Sequence, residues 1–364
     1  MNRMPLIQAD LSLLTHNVSV IRSACHKQGV SLAAVTKVAC ADGSVTQALA
    51  HAGADMLADS RLENLQKLPP ALPRLSLRIA DPEEAEEVVR HSEYSLQSGI
   101  EAVRALGAAA RGLGRLHRVI LMADLGDLRE GIFYKDEALI RRAAAAVLKE
   151  DGLELAGIGT NLTCFGGILP DEDNLGILLG IAHSLRRAFN IKLPLVSGGN
   201  SSSLHLLFEG RLPPGINHLR IGESLLLGMD TSSGLPFPQL SQRVFTLYAR
   251  LVEVYDKPSM PEGSTGPNAF GEQVSFSDHG PMRRGILAVG RQDTDPERLT
   301  PLEEGVTILG ASSDHLLVDL TRAGPFQVGD VLGFTPGYGA LLKAYTSPYV
   351  DKSAINLEGI TCLD

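Results

Sequence analysis

Lys37 stands in Ala33-Ala34-Val35-Thr36-Lys37-Val38-Ala39, a run of small and branched residues with no other charge. Two arrangements suit such a lysine. Its stem can snorkel along apolar neighbours until the ammonium reaches water. Alternatively it sits in a dry mouth, where burial lowers its pKa and turns the amine into a nucleophile toward a carbonyl, which is Schiff-base chemistry. The second group is Ser197-Gly198-Gly199-Asn200-Ser201-Ser202-Ser203. Small residues there let the backbone come close to an anion, and hydroxyls with helix-terminal N–H groups bind a phosphate. The same residues also serve as a polar loop ending in a serine cap. The third is Ile221-Gly222-Glu223-Ser224, a few residues further on.

These groups need a frame that brings distant segments together. Over the first two thirds of the chain, short apolar or β-branched runs alternate with stretches of helical period, separated by Gly, Asp and Ser. The spacing predicts strands at Leu32–Ala39, Met56–Ser60, Leu75–Ala80, Tyr94–Gln97, Arg118–Asp124, Leu155–Leu162, Leu193–Val196 and Leu219–Leu226. Helices are predicted between them, at Pro82–Arg90, Ile100–Leu113, Asp136–Lys149 and Asn174–Phe189. Asp81-Pro82-Glu83-Glu84 is a good helix start, with a capping Asp, a first-turn Pro and acidic residues at the positive end. Eight such alternations fit a (β/α)8 barrel of the TIM type; a doubly wound open sheet competes, but no Gly-rich turn follows the first strand. Beyond Gly228, Pro, Gly and Ser become dense and helical stretches nearly vanish, leaving short alternating runs such as Val244–Val254, His315–Leu320 and Val331–Phe334. The expected organisation is a barrel over residues 11–230 and an all-β domain over 231–364, joined by residues 1–10. In such a barrel the chemistry lies at the C-terminal ends of the strands. That rule collects Lys37, Asp59, Arg129, Asn161, residues 197–203 and residues 220–223.

Composition narrows the classes. The 364 residues suit about two domains, and 44% hydrophobic with 21% charged residues is ordinary for a cored globular protein. A net charge of −9 without a Lys/Arg cluster disfavours nucleic acid, and the absence of Trp disfavours base stacking. The four cysteines, Cys25, Cys40, Cys164 and Cys362, are too scattered for a disulfide framework or a zinc ladder, so no metal is expected. No apolar run reaches the roughly 18 residues of a membrane span, and Met1–Asp10 lacks a signal pattern. A cytoplasmic location is expected, with a small molecule as the partner.

A first-strand lysine, a phosphate loop after the seventh and eighth strands and a trailing β domain together point to pyridoxal 5'-phosphate. The chain resembles the alanine racemase-like family of enzymes that use this cofactor, and within it the ornithine racemase branch. The matching stretches are Ala34–Val38, Gly157–Gly167, Ser197–Ser202 and Leu219–Glu223, with Gly310–His315 in the β domain. Their order and spacing carry the match over nearly the whole chain.

The resemblance implies roles. Lys37 would hold the cofactor covalently and shuttle the α-proton. Asn200, Ser201, Ile221 and Gly222 would bind its phosphate, together with Tyr345 in Ala344-Tyr345-Thr346-Ser347-Pro348. Arg220 matches an arginine facing the pyridine nitrogen, and Asn161 stands where alanine racemases have a histidine packed on the ring. Arg129 matches an arginine near the substrate carboxylate. An arginine cannot take up a proton at neutral pH, so the ring nitrogen stays neutral and the electron sink is weak, which suits racemisation. Related decarboxylases instead place a glutamate there. Racemisation needs a second proton carrier. Alanine racemases use a partner subunit's tyrosine, whereas the corresponding segment here reads Gly290-Arg291-Gln292-Asp293, and a guanidinium carries protons poorly. Cys164 and His315 are the alternatives. Asp314 would pair with a distal ammonium, favouring ornithine or lysine. The resemblance therefore implies a homodimeric racemase of a basic amino acid. A racemase of alanine- or serine-type substrates, a non-catalytic cofactor carrier and a cofactor-independent lyase are the competing readings.

Overall fold

The computed structural model describes residues 4–356, so Cys362 lies outside the described residues. They divide into two compact units: Leu11–Gln242, and a second unit that joins the N-terminal strand β1 (Leu6–Asp10) to the chain from Arg243 onward. Residues 231–242, expected with the β domain, belong to the first unit. The buried Asn17 ties their end down, donating to the Ser241 carbonyl at 2.9 Å and accepting from its N–H at 2.7 Å.

The first unit is a closed parallel barrel. Its strands are β2 (Ser31–Val35), β3 (Met56–Asp59), β4 (Arg74–Ser76), β5 (Tyr94–Gln97), β6 (His117–Asp124, with the two-residue β7, Ile132–Phe133, at its end), β8 (Leu153–Gly159), β9 (Leu195–Ser197) and β10 (His218–Ile221). They pair in the order β5-β4-β3-β2-β10-β9-β8-β6, and a β5–β6 pairing closes the ring. Alternate residues fill the interior: Ala33 and Val35, Met56 and Ala58, Leu75, Leu96, Ile120 and Met122 form one buried cluster. This is the two-residue period of a strand seen from inside a barrel. The helix Ile100–Leu113 lies where the sequence predicts it and stops at Gly114, whose φ of 61° is the left-handed conformation glycine adopts without strain.

Several strands end earlier than expected, the one at Arg74–Ser76 and the one at Leu153–Gly159 among them, and two of the changed ends bear on the site. β2 stops at Val35 rather than Ala39, because Thr36 (φ −98°, ψ −6°) leaves the extended region and Lys37–Ala39 form a 3-10 turn. β10 stops at Ile221 rather than Leu226, and a helical turn, Glu223–Leu227, follows Gly222. Apolar runs of this length carry no periodicity that separates strand from helix.

The second unit is a largely antiparallel sheet of β11 (Phe245–Pro258), β12 (Pro281–Leu287), β13 (Leu299–Pro301), β14 (Thr307–Ala311), β15 (Leu316–Asp319) and β16 (Val331–Pro336). Their order is β13-β16-β11-β12-β15-β14; β1 pairs antiparallel with β11 and parallel with β17 (Asp351–Ile355). It is not all-β: the helix Tyr338–Thr346 buries Ala340, Leu341, Ala344 and Tyr345, a helical spacing present in the sequence.

Candidate active site

Strand adjacency decides which loops meet. β10 lies between β2 and β9, so the turns after β2, β9 and β10 emerge side by side at the C-terminal end of the barrel. Lys37 opens the first of these turns. Its side chain is exposed, as in the first of the two arrangements the sequence left open. The turn itself is pinned from below. The Thr36 hydroxyl donates to Asp59 Oδ2 at 2.7 Å, and Asp59 Oδ1 accepts from the N–H groups of Ser60 and Arg61 and from Asn64 Nδ2.

The other two turns form a polar cradle. Ser201 Oγ accepts from the N–H groups of Gly222 at 3.2 Å and Ser224 at 3.3 Å, and Asn200 Oδ1 caps the Ser202 N–H at 2.8 Å. The small residues are required by contact. A Cβ on Gly199, which has φ +114°, would lie 2.6 Å from Ser203 Oγ, and one on Gly222 would lie 3.1 Å from the Val35 Cβ. Ser201, Ser202 and Ser203 are all buried.

Arg220, on β10, is buried to 2% exposure. Its partners are neutral: Ser197 Oγ, the Thr160 carbonyl and, at 2.7 Å, Asn161 Oδ1. Burial pushes the guanidinium down to about 10, still far above neutrality, so the charge is kept. Ser197 must accept from Arg220, because a guanidinium only donates. Ser197 Oγ also lies within hydrogen-bonding distance of His218 Nδ1, 2.7 Å away, and that imidazole is neutral. Burial, with Arg220 adding to it, holds His218 down at about 3.

On the far side, the Asn161 amide donates to Glu130 Oε1, and Glu130 takes Arg129 by both oxygens through Nε and Nη2. Arg129 thus has one edge of its fork occupied. Burial pushes the Glu130 carboxyl up, but the hydrogen bonds and charge of Arg129, its own N–H and the Asn161 amide outweigh that and hold it below the usual range. Glu130 was not singled out from the sequence; a lone acid in Arg129-Glu130-Gly131 looks like any solvated charge.

Cys164 lies in residues 163–168, the loop beyond β8, and is exposed. The buried Asp127 carboxylate builds this loop by accepting from the N–H groups of Cys164 (3.0 Å), Phe165 (2.9 Å) and Ile168 (3.1 Å). Asn200 Nδ2 donates to Cys164 Sγ at 3.3 Å. Desolvation of the sulfur pushes the thiol up; Glu130 and Asp127 add to this, against the opposing charges of Arg129 and Lys37. The thiol therefore holds its proton at neutral pH, which counts against Cys164 as a base though not as an acid.

The remaining candidates lie in the second unit. Asp314 and His315 are exposed between β14 and β15, where the Ser313 hydroxyl donates to Asp314 Oδ2 at 2.6 Å. Tyr345 is buried, edge-on to Phe245 with ring centroids 5.8 Å apart. Arg291 pairs with Glu272 at 2.7 Å and lies over the Phe270 ring, so its guanidinium anchors a loop.

The family described as alanine racemase, N-terminal domain, matches residues 9–230. The chain is 43% identical over 353 residues to an ornithine racemase from Acetoanaerobium sticklandii, covering 96% of this chain and 99% of that relative. It is 36% identical over 351 residues to a lysine racemase from Thermotoga maritima, covering 96% and 98%. A solved alanine racemase from Bartonella henselae with covalently bound pyridoxal phosphate has the same fold, with a TM-score of 0.72 at 16% identity, covering 97% of this chain and all (100%) of the other. An eight-stranded parallel barrel with this polar mouth, followed by an antiparallel sheet unit, defines the fold class. The chain belongs to the alanine racemase family.

Proposed function

We propose that this chain is a pyridoxal phosphate-dependent racemase of a basic amino acid, ornithine or lysine. The identities with ornithine and lysine racemases over almost the full length support the substrate class. The observation that carries the chemistry is Arg220, a buried cation at the barrel mouth with only neutral acceptors against it. The residues fit the cofactor: a polar cradle of small residues at Ser201 and Gly222, an exposed amine at Lys37 and a guanidinium fixed in place. When bound, pyridoxal phosphate supplies the electron sink that lets a Cα–H bond ionise.

In this reading Lys37 holds the cofactor through its Nζ and, once released, takes and returns the α-proton on one face. Asn200, Ser201, Ile221 and Gly222 hold the phosphate, with Tyr345 as a further ligand. With the cofactor bound, Arg220 would lie at the ring nitrogen and keep it unprotonated, and Asn161 would pack against the ring. Arg129 binds the substrate carboxylate with the edge that Glu130 leaves open. His315 or the Cys164 thiol serves the second face, and Asp314 takes the distal ammonium. The reading includes a homodimer and a cytoplasmic setting. No helix among the described residues is long and apolar enough to cross a membrane.

The test is incubation of the cofactor-loaded protein in heavy water with L-ornithine, L-lysine, L-arginine, L-serine and L-alanine. Deuterium at Cα with loss of optical rotation is expected, fastest for the diamino acids. Lys37→Ala should abolish both, together with the visible absorbance. Cofactor binding without exchange on any substrate would make the chain a carrier, and fragment formation would make it a lyase.

A further inference from the structure

Arg129 lies in the loop after β6 and Arg220 on β10, yet one acid is linked to both. Glu130 holds Arg129 directly by both oxygens, and its Oε1 also accepts from Asn161 Nδ2, whose Oδ1 accepts from Arg220. The amide between them has only one satisfactory orientation. A carboxylate only accepts and a guanidinium only donates, so Asn161 must turn its NH2 to Glu130 and its oxygen to Arg220.

From this arrangement we propose that Glu130 is a positioning residue for the site, setting the Arg129 fork directly and the Arg220 guanidinium through the orientation of Asn161. The logic is electrostatic as well as geometric. A carboxylate touching Arg220 would itself take guanidinium donors. One amide further away, Glu130 still compensates the buried charge without taking any of them. Glu130 is also the anion that most supports the Arg220 charge against burial, while Arg129 opposes it. This inference rests on the racemase reading for its kinetic consequence, not for its geometry.

Glu130→Gln is the discriminating change, because it keeps shape but supplies an NH2. A glutamine there can donate to Asn161, reverse the amide and set two donors face to face at Arg220. The experiment is a double-mutant cycle of Glu130→Gln and Asn161→Ala in the full chain, with Glu130→Met as a second variant should the first misfold. Two readouts apply: arginine side-chain NMR of the protein without cofactor, and the pH dependence of the visible band with cofactor bound. Each single variant should release the slow exchange of the Arg220 Nη groups and shift the band's titration. The double variant should be no worse than the worse single one, the signature of a shared path. Glu130→Gln should also lower kcat about 10- to 100-fold, comparable to losing one charge-assisted hydrogen bond in the transition state. It should in addition raise KM through Arg129, which Asn161→Ala should not. Effects that multiply independently, or Arg220 signals unchanged in Glu130→Gln, would overturn the proposal. Failure of racemisation in the unmodified protein with the NMR coupling intact would instead remove the racemase reading alone.

Discussion

Arg220 shows what a single residue can carry. It is a full charge whose acceptors are neutral, which is costly unless its donors find oxygens, and Ser197, Thr160 and Asn161 take three of the five. Lys37 was legible in the sequence because a charge inside an apolar strand run is rare, and Arg220 because it stands at the end of a barrel strand and within the stretch Leu219–Glu223 that carries the family resemblance. Glu130, Asp127 and His218 were not, because their importance lies in partners 31 to 38 residues away, as with Asn161 and Phe165, or in a neighbour such as Ser197 across a strand pair. At this scale the substrate choice is also tested. Asp314→Ala is expected to raise KM for ornithine and lysine at least tenfold and to leave that for alanine nearly unchanged, since a charge-assisted pair is worth about 1.5–3 kcal/mol. Steady-state kinetics on the three substrates check this, and equal effects on all would remove Asp314 from the role.

Among the elements, turns rather than strands differ most from their sequence reading. The strand Tyr94–Gln97 and the helix Ile100–Leu113 coincide with prediction, whereas the runs through Lys37 and Gly222 break into turns. These breaks are functional in consequence: a lysine on a continuing strand would be fixed by its ladder, while one on a 3-10 turn projects from the barrel mouth. The loop 163–168 is a second case, ordered from outside itself by Asp127 and by the close approach of Gly166, whose Cβ would lie 2.8 Å from the Asp127 carbonyl oxygen. Asp127→Asn leaves one oxygen to do the work of two. Amide exchange at Cys164, Phe165 and Ile168 should become about 10- to 100-fold faster for a loss of about 1.5–3 kcal/mol, with the barrel strands unaffected. Unchanged protection of these three amides in hydrogen-exchange measurements would contradict the anchoring role.

For the molecule as a whole, two buried histidines contribute to the response to mild acid. His117 donates from Nδ1 to the Ser92 carbonyl at 3.2 Å and accepts from the Ser95 hydroxyl at 2.8 Å, and burial holds it down at about 4. His218 is held at about 3. Above pH ~6.5 both are neutral whether the chain is folded or not. Below it the unfolded chain takes up protons that the folded chain refuses. Stability therefore falls as pH drops from ~6.5 toward the folded values, by up to about 1.4 kcal/mol per pH unit per histidine. His117→Asn, which keeps a donor for Ser92, should flatten the slope between pH 6.5 and 5 by about one proton. Urea unfolding followed by far-UV circular dichroism at several pH values reads this directly, and an unaltered slope would exclude His117 as a source.

The amino-acid order by itself determined the alternation of strand and helix, the barrel, the change of character after Gly228 and the residue types able to bind a phosphate and an aldehyde. Those follow from local periodicity and from side-chain chemistry, which travel with the sequence. Only the tertiary structure decided that β10 lies between β2 and β9, that the helix bearing Tyr345 forms, that Lys37 is exposed and that Glu130 is linked to Arg129 directly and to Arg220 through Asn161. Each depends on groups far apart in the chain coming within hydrogen-bonding or packing distance, a relation that no local pattern encodes.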